Sequence, residues 1–167
     1  EIYTLSLHDA LPIFDCKCLY PCRAEFDGNI GEKHYFSMKD LALQENILKI
    51  PAISLKIEGR KKSALYVAAV TDYYRHILDG KGVSAEKEDN IKQIFSRPWT
   101  RFHFSGQNKD IIDRDFVGHR GLKIGKVEQI SKGQLIFRPT HDVARYDGLQ
   151  VDVAGQEKPV GFSVQSL

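Results

Sequence analysis

No run of this sequence is apolar for long enough to cross a bilayer, and no basic-plus-apolar leader followed by a small-residue cleavage site is visible. Those two absences point to a globular, cytoplasmic chain with no membrane partner. Cysteine is scarce, and all three stand at positions 16, 18 and 22. Such clustering would staple a secreted fold poorly but suits thiolates converging on a metal or cluster. A dominant charge is lacking as well: 24 basic against 22 acidic residues leave a formal +2. Bulk electrostatics therefore select no partner, and any nucleic-acid surface must be local. The sequence contains no internal repeat, no low-complexity tract and no serine, cysteine–histidine or zinc-protease constellation. What is there is a 167-residue chain, 42% hydrophobic, enough for one ordinary domain or two small ones.

Residues 1–13, Glu-Ile-Tyr-Thr-Leu-Ser-Leu-His-Asp-Ala-Leu-Pro-Ile, match one reading frame of a sequencing-library adapter. They are set aside from fold reasoning, His8 and Asp9 with them, and the natural chain is expected to extend further upstream. After the cysteines, Asp27-Gly28-Asn29 with Gly31 reads as a turn between short extended pieces. Ser37 and Asp40 then form a capping-box pattern, so the spacing predicts a helix bearing Leu41, Ile47 and Leu48 that ends at Pro51. Ile53 to Ile57 alternates with period two, which predicts a strand broken by Gly59. A basic loop, Arg60-Lys61-Lys62, leads into a helix from Ser63 to about Asp79, terminated by Gly80. Tyr66, Ala69, Val70, Tyr73 and Ile77 recur at helical spacing on its packing face, leaving Asp72, Arg75 and His76 for water or a partner. Ser84 opens a second helix whose Glu86 and Glu88 suit the positive end of the helix dipole and whose Ile91, Ile94 and Phe95 pack. Beyond Pro98, glycines punctuate short alternating runs at 122–130, 134–137, 149–153 and 160–164, the texture of a small antiparallel β barrel or sandwich. The boundary between an α/β part and a β part is expected near residues 96–110.

Three local patterns carry chemistry. In Cys16-Lys-Cys18-Leu-Tyr-Pro-Cys22-Arg23 the spacing lets thiolates share a zinc or an iron–sulfur centre, and Lys17 and Arg23 favour the thiolate form. Three cysteines do not complete a four-ligand set, so further ligands must come from elsewhere; free buried cysteines or a fortuitous cluster are the alternative. In Ser54-Leu-Lys-Ile-Glu-Gly-Arg60 the polar side of the predicted strand ends in a glycine–arginine turn. A barrel strand presents charged groups at its C-terminal mouth in this way. Lys56 and Glu58 are the candidates for proton transfer, Arg60 with Lys61 for gripping phosphate or carboxylate. A structural ion pair, or a strand whose polar side faces solvent, accounts for the same spacing. Gly118-His119-Arg120-Gly121 could bind phosphate, but glycines at both ends fit a sharp corner better.

Cys18-Leu-Tyr-Pro-Cys22-Arg23, Phe36-Ser-Met-Lys-Asp-Leu41 and Ser54-Leu-Lys-Ile-Glu-Gly-Arg-Lys-Lys-Ser63 leading into Tyr66-Val-Ala resemble, in that order, the collagenase-like U-thirty-two peptidase family. Phe95-Ser-Arg-Pro-Trp-Thr100 and Gly118-His-Arg-Gly121 with Ile124-Gly125 resemble the β domain appended in the branch that includes ribosomal-RNA hydroxylation proteins. The likeness covers roughly residues 16–150, and Lys-Ile-Glu-Gly-Arg is its most specific element. It implies an α/β plus β fold: residues 14–95 as the C-terminal strand-helix portion of a TIM-like barrel, and 96–167 as a small antiparallel β-barrel domain. It also implies an activity in RNA-base hydroxylation with RNA as partner, or else a metal-dependent collagenase-like peptidase acting on protein. Relatives of this kind hold an iron–sulfur cluster through four cysteines. Cys18 and Cys22 match two of them, Cys16 stands where glycine is usual, and Ala42 occupies the place of a further cysteine after Lys-Asp-Leu. The active site implied is therefore not complete within this chain.

Overall fold

The computed structural model describes residues 21–59, 62–156 and 159–167, so the adapter-like segment lies outside the described residues. Its organising element is the segment from Ser37 to Ala42. Within it β1, Asp40–Leu41, pairs in parallel with β2, Trp99–Thr100. The amides of Asp40 and Ala42 donate to the carbonyls of Pro98 and Thr100, each at 2.9 Å. On the other edge Lys39 N–H donates to Ile111 O at 3.0 Å and Asp113 N–H to Ser37 O at 2.8 Å, so one short extended piece is held from both sides. These bonds cross the division expected at residue 96.

A parallel pair needs a long crossover, and here the crossover contains two helices. Helix α1, Ala64–Leu78, starts where Ser63 Oγ accepts from Tyr66 N–H at 3.2 Å. Gly80, at φ 76°, stops it in the left-handed conformation that glycine tolerates best. Helix α2, Ala85–Ile94, is capped by Ser84 and carries Glu86 and Glu88 in its first turn. Both helices fall where capping and periodicity place them. Val70, Tyr73 and Ile77 from α1 and Ile91 from α2 form the core with Ile47, and Tyr66, Ala69, Tyr74 and Trp99 pack against it. Tyr73 is buried with its hydroxyl donating to Glu88 Oε1 at 2.6 Å. Burial, and then that hydrogen bond, pushes the phenol strongly up from its ordinary pKa.

Two expected elements take other forms. The helix foreseen from Ser37 is replaced by the extended β1 segment, and only a short 3-10 helix, Gln44–Lys49, follows. Local capping loses because both cap residues find distant partners. Ser37 Oγ is buried and donates to Phe116 O at 3.1 Å, and the Asp40 carboxylate is taken by Arg97. The strand foreseen at Ile53 to Ile57 is irregular, with Ile53, Leu55 and Ile57 all exposed. A strand persists only where a neighbour satisfies its backbone ladder, and no described segment pairs with this one.

The glycine-rich half forms strands where alternation places them, as two separate antiparallel pairs. β3, Val127–Ser131, pairs with β4, Gln134–Phe137, and β5, Gly148–Val151, with β6, Val160–Ser163. Among the described residues these pairs do not close into a barrel. No described helix is long and apolar enough to cross a membrane.

Candidate functional site

The Lys56–Gly59 segment ends against the start of α1. Lys62 N–H donates to Gly59 O at 3.0 Å, and a side chain at Gly59 would lie 3.5 Å from the Tyr66 ring, so the glycine sits beside that aromatic. Lys62 turns its ammonium onto Phe95, with Nζ 2.9 Å from the ring centroid. Tyr66 meets the same ring edge-on at 6.1 Å, and His119 stacks on it at 5.3 Å with 16° between planes. Phe95 is in reach of all three because α2 ends there: its N–H closes on Ile91 O while its own backbone turns extended.

Among the described residues, the carboxylate of Asp40 and the cations Lys62, Arg97 and Arg23 act at this aromatic cluster. Asp40 accepts from Arg97 twice, Oδ2 from the backbone N–H and Oδ1 from Nε, both at 2.9 Å. Burial holds the Lys62 ammonium below its ordinary pKa; Asp40 works against that shift, while Arg97 and Arg23 add to it. Burial also pushes the Tyr66 phenol up, helped by Asp40 and Tyr74 and opposed by Arg97. The corner at Gly118 to Gly121 is a support for this site. Both glycines have positive φ, 117° and 71°, and His119 Nδ1 accepts from the N–H groups of Ser96 at 2.9 Å and Gly121 at 3.2 Å. His119 is thus a structural histidine, as the turn reading expected, and Arg120 N–H fastens the corner to Ser96 O at 2.9 Å.

Lys56 and Glu58 form an ion pair at 2.8 Å with side chains 81% and 64% exposed. Arg60 and Lys61 lie outside the described residues, as do Cys16 and Cys18. Cys22 is an exposed thiol. Among the described residues no three His, Cys, Asp or Glu side chains come together as a metal site, and two of the three cysteines lie outside those residues. Sequence reasoning placed Phe95 as a packing residue, Asp40 as a helix cap and Lys62 as one more loop cation. The available signal was the Ser-Arg-Pro run directly after α2, which stops the helix and sets Arg97 opposite Asp40.

At the end of the crossover of this α/β unit, Lys62 is thus seated on the aromatic cluster of Phe95, Tyr66 and His119. The chain belongs to Peptidase family U32, whose family model matches residues 15–114. It is 30% identical over 152 residues to the 23S rRNA 5-hydroxycytidine C2501 synthase of Escherichia coli (strain K12), covering 81% of this chain and 23% of that protein. It is 30% identical over 140 residues to an uncharacterized protease of Methanocaldococcus jannaschii, covering 69% of this chain and 34% of that protein. It is 31% identical over 122 residues to tRNA hydroxylation protein P1 of Bacillus subtilis (strain 168), covering 64% and 28%. The chain thus spans between 23% and 34% of the length of these relatives. No solved structure matches it.

Proposed function

We propose that this chain is part of a cytoplasmic protein that hydroxylates a base of ribosomal or transfer RNA. The observation that carries the reading is the coincidence of two things. Two of its relatives are named for RNA hydroxylation, and the family-marking Lys56–Gly59 segment runs into the cationic and aromatic cluster of Lys62, Phe95, Tyr66 and Arg97. Positive side chains over aromatic rings are what a phosphate backbone and unstacked bases require. In this proposal Lys56 and Glu58 take part in proton transfer, and Arg60 and Lys61 hold substrate. Residues 14–95 are the last strand-helix portion of a TIM-like barrel, and 96–167 are the β domain that grips RNA. Cys16, Cys18 and Cys22 contribute ligands to an iron–sulfur or other metal centre, checked by assaying iron and acid-labile sulfide in the purified full-length protein. Deleting the gene that carries this sequence should remove one hydroxylated base from ribosomal or transfer RNA, read by mass spectrometry of RNA digests. Unchanged RNA in that strain rejects the reading.

A collagenase-like, metal-dependent peptidase is the second reading, favoured by the relative named as a protease. It requires chelator-sensitive gelatin cleavage by the full-length protein that is lost on Glu58→Ala. Cleavage that survives this change belongs to a contaminant.

A further inference from the structure

We infer that Lys62 is a phosphate-contacting residue that receives one backbone phosphodiester of the RNA; this rests on the RNA reading above and assigns a role to a residue outside the Lys56–Lys61 set. The argument begins with the lysines. Five described lysines are half-buried: Lys33, Lys39, Lys62, Lys87 and Lys92. Four of them have a carboxylate in ion-pair reach, namely Asp115, Asp110, Asp72 and Glu88 respectively. Lys62 has none among the described residues, and its ammonium rests on the Phe95 face instead. A half-buried cation normally acquires an anionic partner because desolvation penalises an unpaired charge.

Among the described residues no acid supplies that partner. Asp40, the acid that acts on Lys62, has both carboxylate oxygens committed to Arg97 at 2.9 Å. Arg97 and Arg23 add positive potential at the same place, and burial together with that potential holds the Lys62 ammonium below its ordinary pKa. Among the described residues, Lys62 and Arg97 against the single carboxylate of Asp40 leave a positive excess beside aromatic faces, reachable because Lys62 and Arg97 are only partly covered. An incoming oxyanion would restore the pairing that the other four half-buried lysines already have. A phosphodiester suits the site because one non-bridging oxygen can take the ammonium while the adjoining base reaches the rings of the Tyr66–Phe95–His119 cluster.

The test is binding of the full-length protein to a single-stranded RNA oligonucleotide, followed by fluorescence anisotropy over a salt series. One lost phosphate contact lowers the slope of log affinity against log salt by about 0.7 for single-stranded RNA, which corresponds to roughly five-fold weaker binding at 0.1 M salt. Lys62→Gln should show that loss, and Lys62→Arg, which keeps the charge, should keep the wild-type slope. Lys81→Gln, an exposed lysine in the turn between the helices, should leave the slope unchanged. Replacing a charge that burial already disfavours should leave the fold intact, which the helical circular dichroism signal checks. A wild-type slope in Lys62→Gln overturns the inference while leaving the RNA reading in place. So does equal loss in Lys62→Arg and Lys62→Gln, because charge is then not what is read. If the wild-type protein binds no RNA at all and the deletion strain keeps its modified base, both readings fall.

Discussion

Replacing Asp40 by alanine should destabilise the protein through side-chain bonds alone, since the Asp40 and Ala42 amides that hold β1 to β2 are backbone groups and stay in place. What is lost is a carboxylate that accepts from Arg97 N–H and Arg97 Nε at 2.9 Å each. A hydrogen bond to a charged group contributes about 1.5–3 kcal/mol when well buried. With the two side chains 20% and 37% exposed, solvent screening holds this pair to the low end, so roughly 2–3 kcal/mol is expected for both bonds together. At about 2–4 °C per kcal/mol for a chain of this size, the midpoint of thermal unfolding should fall by roughly 4–12 °C. Urea unfolding should give the same free-energy change at unchanged m-value. Asp40→Asn keeps one acceptor oxygen and should lose about half as much. The Arg97 amide should exchange with solvent faster in Asp40→Ala than in wild type, a local readout of the same bond. A loss below about 0.5 kcal/mol, the ordinary range for a surface substitution, would show that the pair is solvent-screened and does not position Arg97.

Ile77 is fully buried in the cluster formed with Val70, Tyr73, Ile91 and Ile47, so Ile77→Ala should cost about 2–5 kcal/mol in chemical denaturation; a smaller loss would place the core elsewhere. At Gly125 a methyl group would lie 2.9 Å from Arg138 O and 3.2 Å from the Phe137 ring, so Gly125→Ala must move backbone. It should cost about 1–3 kcal/mol, and a neutral result would mean that the 124–125 segment does not pack on the end of β4. The Asp115 carboxyl is held below its ordinary range by the hydrogen bond and charge of Lys33, whose own pKa is raised in return. A depressed carboxyl contributes stability that is present above its unfolded pKa and is lost as pH falls through the folded value. Asp115→Asn should therefore melt below wild type at neutral pH and converge with it in strong acid. A gap that persists in acid would assign the effect to something other than this pair.

The sequence by itself determined the elements whose signals are local. Ser63 and Ser84 cap helices because a hydroxyl meets an amide three residues on, Gly80 ends α1 because its φ is positive, and the 3.6-residue period of Val70, Tyr73 and Ile77 chose the buried face. The four strands after residue 126 follow from alternation between glycine turns. The Lys-Ile-Glu-Gly-Arg motif was also legible, enough to place the chain in its family. Tertiary structure decided the rest, because long-range partners outbid local ones. Ser37 and Asp40 spell a capping box, yet Phe116 and Arg97, 79 and 57 residues away, take those side chains and leave an extended strand. Ile53 to Ile57 spells a strand, yet an alternating pattern supplies no ladder partner. The site was decided in the same way. Lys62, Phe95 and His119 are separated along the chain and carry no joint pattern; only the end of α2 beside the start of α1 sets the ammonium on the ring and exposes its want of an anion.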